Sequence, residues 1–302
     1  MGVVPSLSRR RAALRKGAVL KRVLILISVS FALIAAILLS WRMLDHRWDL
    51  HVAAQLAEGA GASPARFDPA MIADQPEPVR RYFTHAIAPG TPLAGTVELH
   101  LEGRFNMGTT DAPHYRALYA KQVLNHPSGF VWQVVLRGDE TWISGSDGAF
   151  QGQSWSRFWL MGALPVAREG GAPDHYKSAF GRYAAEAVFW SPASVLPGPN
   201  ARWRAVSPGT VQVTLRHKAQ TVVVDLVIDA AGAPVTVSFE RWSNANAQKQ
   251  YRWQRFGGHL SQPRRFGGIT IPTRVLAGND FGAPTFAPFY EATVTDARFL
   301  PE

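Results

Sequence analysis

Cysteine is missing from the whole 302-residue chain. That excludes disulfides, thiolate nucleophiles, cysteine metal sites and a lipid-modified N-terminal cysteine. The familiar catalytic signatures are missing as well. No nucleophile elbow, phosphate-binding loop, dinucleotide glycine fingerprint or zinc-protease helix occurs. The nine histidines are scattered, and neither a metal nor any other cofactor is expected. Acidic residues are absent from positions 1–22, where seven basic ones gather: Arg9, Arg10, Arg11, Arg15, Lys16, Lys21 and Arg22.

One long apolar run follows that basic tail. Between Arg22 and Arg42 lie the nineteen uncharged residues Val23 to Trp41. As a helix they reach roughly 28 Å, close to the thickness of a bilayer core. A secretory signal has a shorter apolar stretch and small residues just after it. Leu38, Leu39, Trp41 and Met43 are large. A retained transmembrane anchor is therefore expected, with a cleaved signal as the alternative. "SRRRAA" at 8–13 lacks the bulky residues of a twin-arginine signal, and "MGVVPS" matches a myristoylation pattern at the level of chance. The basic flank places the N-terminus in the cytoplasm and the main domain outside. That is the periplasm if an outer membrane exists. Arginine far exceeds lysine, 26 to 6, and alanine is abundant, which suggests a GC-rich bacterial genome.

The overall charge of +10 loses its force once the tail is set aside. The remainder carries 25 basic against 22 acidic residues. A nearly neutral domain gives no electrostatic footprint for nucleic acid. The basic and aromatic stretch "QKQYRWQRF" (248–256) then reads as an exposed or membrane-facing strand.

Four segments are expected: a cytoplasmic tail (1–22), a transmembrane helix (23–41), a stalk (42–66) and an extracytoplasmic domain (67–302). "AQLAEGAGASPA" gives the stalk its small, flexible character. Asp68 and Pro69 form a helix start. In "PVRRYFTHAI", Val79, Tyr82, Phe83, Ala86 and Ile87 make one apolar helical stripe. A second helix, "SAFGRYAAEAVFW", aligns Ala179, Phe180, Tyr183, Ala184, Ala187 and Val188. Elsewhere the period is two. About ten strands are expected, beginning with "GTVELHLEGRF". "GFVWQVVLRG" (129–138) is apolar on both faces, so each side must be covered. "DETWISGSDGAFQG" reads as two short strands about a Ser-Asp-Gly turn, and "DAAGAP" (229–234) as a hairpin turn. "SWSRFWLMGALPVA" (154–167) is either core or a membrane-dipping lid. Without βαβ alternation, the fold class is α+β, mainly β: one large curved antiparallel sheet packed on two helices. A β-sandwich is the alternative.

Candidate chemistry is sparse. Glu98, His100 and Glu102 share a strand face, as Asp225 and Asp229 do, and both groups read as solvated faces. Glu186 sits among alanines and aromatics one turn after Arg182. It is the single catalytic candidate, against the plainer reading of an i, i+4 ion pair.

Three stretches, "PEPVRRYFTHAI", "GRYAAEAVFWSPASVLPG" and "GGITIPTRVLAGNDFGAPTFAPFYEATVTDARF", together resemble a bacterial family of membrane-anchored proteins with a domain of unknown function. The resemblance covers most of residues 76–300 and carries no catalytic residues with it. "GITIPTRV" followed by "FYEATVTDARF" is also similar to the last strands of lipoprotein-carrier and lipoprotein-sorting folds. Those are half-barrels that hold acyl chains against helices on the concave side. The expected function is binding of a lipid or other apolar ligand, with no enzymatic step. Trp132, Phe180, Tyr183, Ala187, Val188, Tyr82 and Phe83 would line the site. An envelope hydrolase using Glu186 and a scaffolding protein remain alternatives. The bilayer is the expected partner through residues 23–41. Nucleic acid is not expected, and the oligomeric state is open.

Overall fold

The computed structural model describes residues 7–58, 65–246 and 248–300. The N-terminal hexapeptide, which carries the myristoylation pattern, lies outside them, as do residues 59–64 of the expected stalk. Two compact units divide at residue 47. Helix α1 spans Leu7–Glu58. Its apolar stretch is long enough to cross a membrane, and Leu24, Ile27, Phe31, Ile34 and Ile37 are all more than half exposed. Water does not favour so much bare apolar surface on one helix.

The second unit begins at Trp48. A flexible stalk was expected here, but α1 continues as helix to Glu58, so that expectation is corrected. Val52 and Leu56 recur four residues apart and pack on Val123, Val131 and Trp155. The carbonyl of Leu56 accepts hydrogen bonds from Thr96 Oγ1 (3.1 Å) and Asn125 Nδ2 (3.2 Å). Small residues hid this seam because it needs only one apolar contact per turn.

Two further helices follow, α2 (Glu77–Ala86) and α3 (Pro173–Trp190). A 3-10 turn, Pro69–Ile72, precedes α2, and Asp68 caps it by accepting from Ala70 N at 2.9 Å. Among the described residues thirteen strands form one antiparallel sheet. Strands β1 (Thr96–Asn106), β2 (Tyr115–Asn125), β3 (Gly129–Arg137), β4 (Trp142–Phe150), β5 (Gln153–Leu160) and β6 (Leu164–Gly170) meander outward from the centre. The chain then crosses the sheet as α3. It returns through β7 (Ala201–Ser207), β8 (Thr210–His217), β9 (Gln220–Ile228), β10 (Pro234–Ser243), β11 (Arg252–Phe266), β12 (Ile269–Asn279) and β13 (Tyr290–Leu300). The last strand pairs with the first, Val97 opposite Phe299. That pairing joins both halves into one half-barrel, so the β-sandwich alternative does not hold. Strands β6 and β7 are the open edges.

The strand count exceeds the expected ten because β2, β5 and β6 are strands not expected from the sequence, while β4 is one strand where two are expected. "SGSDG" is no turn: β4 runs straight through Ser146 and Asp147. Its glycines are needed for close packing. A Cβ on Gly145 would lie 2.0 Å from the Arg157 carbonyl oxygen, and one on Gly148 would lie 2.1 Å from the Trp155 ring. The aromatic segment 154–167 is a hairpin whose first strand buries Trp155 and Trp159, while Met161, Leu164 and Val166 stay exposed.

The two-faced character of β3 has a direct cause. Phe130, Trp132, Val134 and Leu136 enter the main core with α2 and α3, whereas Val131 meets Val52 and Leu56 of α1 on the other side. Both helical stripes read from the sequence are buried in the main core. The "DAAGAP" hairpin is also present. Asp229 Oδ1 holds it by accepting from Ala231 N and Ala233 N.

Candidate functional site

The concave side of the sheet carries one polar row. In register across four neighbouring strands lie Gln122 (β2), Trp132 (β3), Asp147 (β4) and Ser156 (β5). Helix α3 lies over this row and answers it with Arg182 and Glu186. Arg182 Nη1 donates to Asp147 Oδ2 at 2.9 Å, and its Nε donates to Glu186 Oε1 at 2.8 Å. Gln122 Nε2 donates to Glu186 Oε2 at 2.7 Å. The guanidinium also lies 5.0 Å from the ring centres of both Phe130 and Trp132, where the ring faces attract a cation.

Electrostatics follow from this geometry. Burial lowers the proton affinity of Arg182, but Glu186 and Asp147 more than reverse that, and its pKa ends above the ordinary value. Arg241, on β10, feels the same two carboxylates only at longer range, without an ion pair to either. Burial first and then repulsion from Arg182 push its pKa down to about 10. His175, in the first turn of α3, bridges Ser154 (2.8 Å) and Ser156 (3.3 Å) through its two ring nitrogens. Burial lowers its pKa, opposed by Asp147, so it is neutral at neutral pH.

A small cleft opens beside this cluster, between the N-terminal half of α3 and strands β3, β4, β5 and β10. Asp147, Trp155, Ser156, His175, Arg182 and Arg241 contribute to its lining, and its accessible volume is about 40 Å³. It is open to solvent on one side. A volume of that order holds a few waters or a small polar group. An apolar ligand of ordinary size needs several hundred Å³.

The sequence-derived candidates fall in two groups. Tyr82, Phe83, Trp132, Phe180, Tyr183, Ala187 and Val188 belong to the main core under the concave face. Tyr82 OH donates to the Val188 carbonyl, tying α2 to α3, and Tyr183 OH donates to Pro127 O at 3.1 Å. Burial raises the pKa of both phenols. Glu186 has each oxygen engaged, as the i, i+4 reading anticipates. The remaining candidates serve locally. Glu98 pairs with Lys121 (2.8 Å) and His100 (3.5 Å). Asp225 pairs with Arg255 (3.3 Å). In the 248–256 stretch, Trp253 is half exposed, and Lys177 sits 4.4 Å over its ring.

Asp147, His175 and Arg241 were not singled out from the sequence. Asp147 was hidden in the apparent turn. Arg241 did leave a signal: it follows Val237 and Phe239 at a spacing of two, so it continues the inward face of β10.

The sequence profile of the family of unknown function DUF6544 matches residues 65–292, a span that includes the polar row, α3 and β10. The chain belongs to this family. The sequence matches no curated protein. Two solved structures are similar to this DUF6544 member. A LolA superfamily protein from Nitrosomonas europaea is 8% identical, with 74% of this chain and 91% of that chain covered and a TM-score of 0.41. A proposed outer membrane lipoprotein-sorting protein domain from Vibrio parahaemolyticus is 11% identical, with 68% and 86% covered and a TM-score of 0.38.

Proposed function

We propose that this DUF6544 member is a single-pass membrane protein whose extracytoplasmic domain binds a lipid or similar apolar ligand on the concave face of its half-barrel. Residues 23–41 form the anchor, and the seven cations of the tail hold the N-terminus in the cytoplasm.

One observation carries the binding reading. Helix α3 joins the two unpaired edges of the sheet and covers an apolar trough with small residues: Ala179, Gly181, Ala184, Ala185 and Ala187. The strand ladder is continuous without it. Lifting α3 therefore breaks side-chain contacts but no strand pairing, and uncovers Phe130, Trp132 and the apolar residues beside them. An acyl chain would replace the contacts that the helix gives up, at roughly 0.8 kcal/mol per buried methylene. Phe180, Tyr183, Ala187 and Val188 on α3 and Tyr82 and Phe83 on α2 would be the groups that exchange partners.

Native mass spectrometry of the full chain released from detergent tests the reading. A stoichiometric lipid-mass adduct is expected. A bare protein mass under conditions that preserve lipid on a known binder would contradict it. A phosphatase reporter fused after Glu302 should be active outside the cytoplasmic membrane, and an inactive fusion would contradict the orientation.

A further inference from the structure

The cleft beside α3 is built to take a polar group, and its unused atoms say of which kind. Asp147 uses Oδ2 on Arg182, while its Oδ1 is buried without a hydrogen-bond partner. Arg241 is likewise buried at Nε without a partner, and its guanidinium lies 5.3 Å from the Phe256 ring centre. Both residues line the same cleft. A buried acceptor and a buried donor each left unpaired cost of the order of 1–3 kcal/mol. A single group that donates to the carboxylate and accepts from the guanidinium removes both penalties.

Charge narrows the choice further. The cluster holds two cations, Arg182 and Arg241, and two anions, Asp147 and Glu186. His175 is neutral at neutral pH, because burial lowers its pKa. A carboxylate or phosphate would tip this balanced site to net negative, beside Asp147. A cation would meet Arg182 and Arg241. A neutral hydroxyl or amide disturbs the balance least, and Ser156, Ser178 and His175 extend the same hydrogen-bonding lining.

We infer that the cleft at Asp147 and Arg241 is the head-group subsite of the lipid site, and that it selects a neutral, hydroxyl-bearing head. This rests on the proposal that the concave face binds an acyl chain: the chain would lie in the trough uncovered by lifting the C-terminal half of α3, with its head beside the first turns of that helix, which stay in place over the cleft. A cleft of about 40 Å³ suits one or two hydroxyls and excludes the chain itself.

The test uses the full chain in detergent micelles and two probes with the same brominated acyl chain: a monoacylglycerol and the methyl ester of the acid. Quenching of tryptophan fluorescence reports chain binding for each. The monoacylglycerol should bind at least about tenfold more tightly than the ester, the worth of one well-placed hydrogen bond to a charged group. Arg241→Met should erase that preference and leave ester affinity unchanged. Arg241→Lys, which keeps the charge and stem but loses Nε, should reproduce the loss and guards against a folding defect in the first variant. Equal affinities in the parent, the outcome if the cleft holds water only, would overturn the subsite and leave chain binding standing. A preference that survives both substitutions would also overturn it. Binding of neither probe would overturn the lipid reading and the subsite together.

Discussion

Arg182 on α3 donates to Asp147 on β4 at 2.9 Å, and this ion pair ties the crossing helix to the middle of the sheet. Its partners are mostly buried, so removing the cation leaves two neighbouring carboxylates without their main counter-charge. Arg182→Met should destabilise the protein by about 3 kcal/mol, within the range for breaking a buried pair. Adding Asp147→Asn and Glu186→Gln to the same chain should restore much of the loss. Glu186→Gln alone should cost less, because the amide oxygen still accepts from Arg182, and the Gln122 amide, turned over, accepts from the new NH2 through its otherwise unpartnered Oε1. Urea midpoints of the full chain in micelles, read by near-ultraviolet circular dichroism, give all three numbers. A triple variant no more stable than the single one would refute the charge argument.

Gly145 permits the approach of β4 to β5. Its added Cβ would lie 2.0 Å from the Arg157 carbonyl oxygen, a backbone atom that cannot rotate away. Gly145→Ala should cost more than about 2 kcal/mol, as overpacking in a rigid place does. Gly95 has open space around its Cβ position, so Gly95→Ala should stay within about 0.5 kcal/mol of the parent. Similar urea midpoints for both variants would contradict the packing account of β4.

The last turn of α1 is expected to be part of the folded domain. Leu56 is buried and accepts from both Thr96 and Asn125. Leu56→Ala should cost about 2–4 kcal/mol and open residues 48–58 to limited proteolysis. A loose stalk would be cut equally in both proteins.

His126 is buried, and desolvation followed by His217 lowers its pKa to about 4, from 6.5 when unfolded. Between those values the unfolded chain binds the proton and the folded chain does not. Stability contributed by the neutral ring is therefore complete above about pH 6.5 and lost as the pH falls toward 4, by up to about 3 kcal/mol. His85, His175 and His217 are lowered too and act in the same direction. His126→Gln should flatten the acid side of a stability–pH curve, and an unchanged slope would contradict this assignment.

Periodicity revealed the helices and the family of the sheet, because Val79, Tyr82 and Phe83 or Phe180, Tyr183 and Ala187 can share a face only at helical spacing. It could not reveal β4, where two glycines and a Ser-Asp pair have the composition of a turn and the geometry of a strand. That geometry depends on Trp155 and the Arg157 carbonyl, which arrive from the next strand. The Arg182–Glu186 pair was legible as an i, i+4 spacing. Asp147 and Arg241 were not, since they meet only when α3 crosses between two sheet halves that are remote in sequence.

The most direct measurement reconstitutes the full chain in nanodiscs containing a trace of phospholipid with a photoreactive group on its acyl chain. After illumination, labelled peptides are mapped by mass spectrometry. The account predicts label both on the anchor, Val23 to Trp41, and on concave-face peptides containing Phe130, Trp132, Phe180 or Tyr183. Label confined to the anchor would contradict the binding of lipid by the half-barrel.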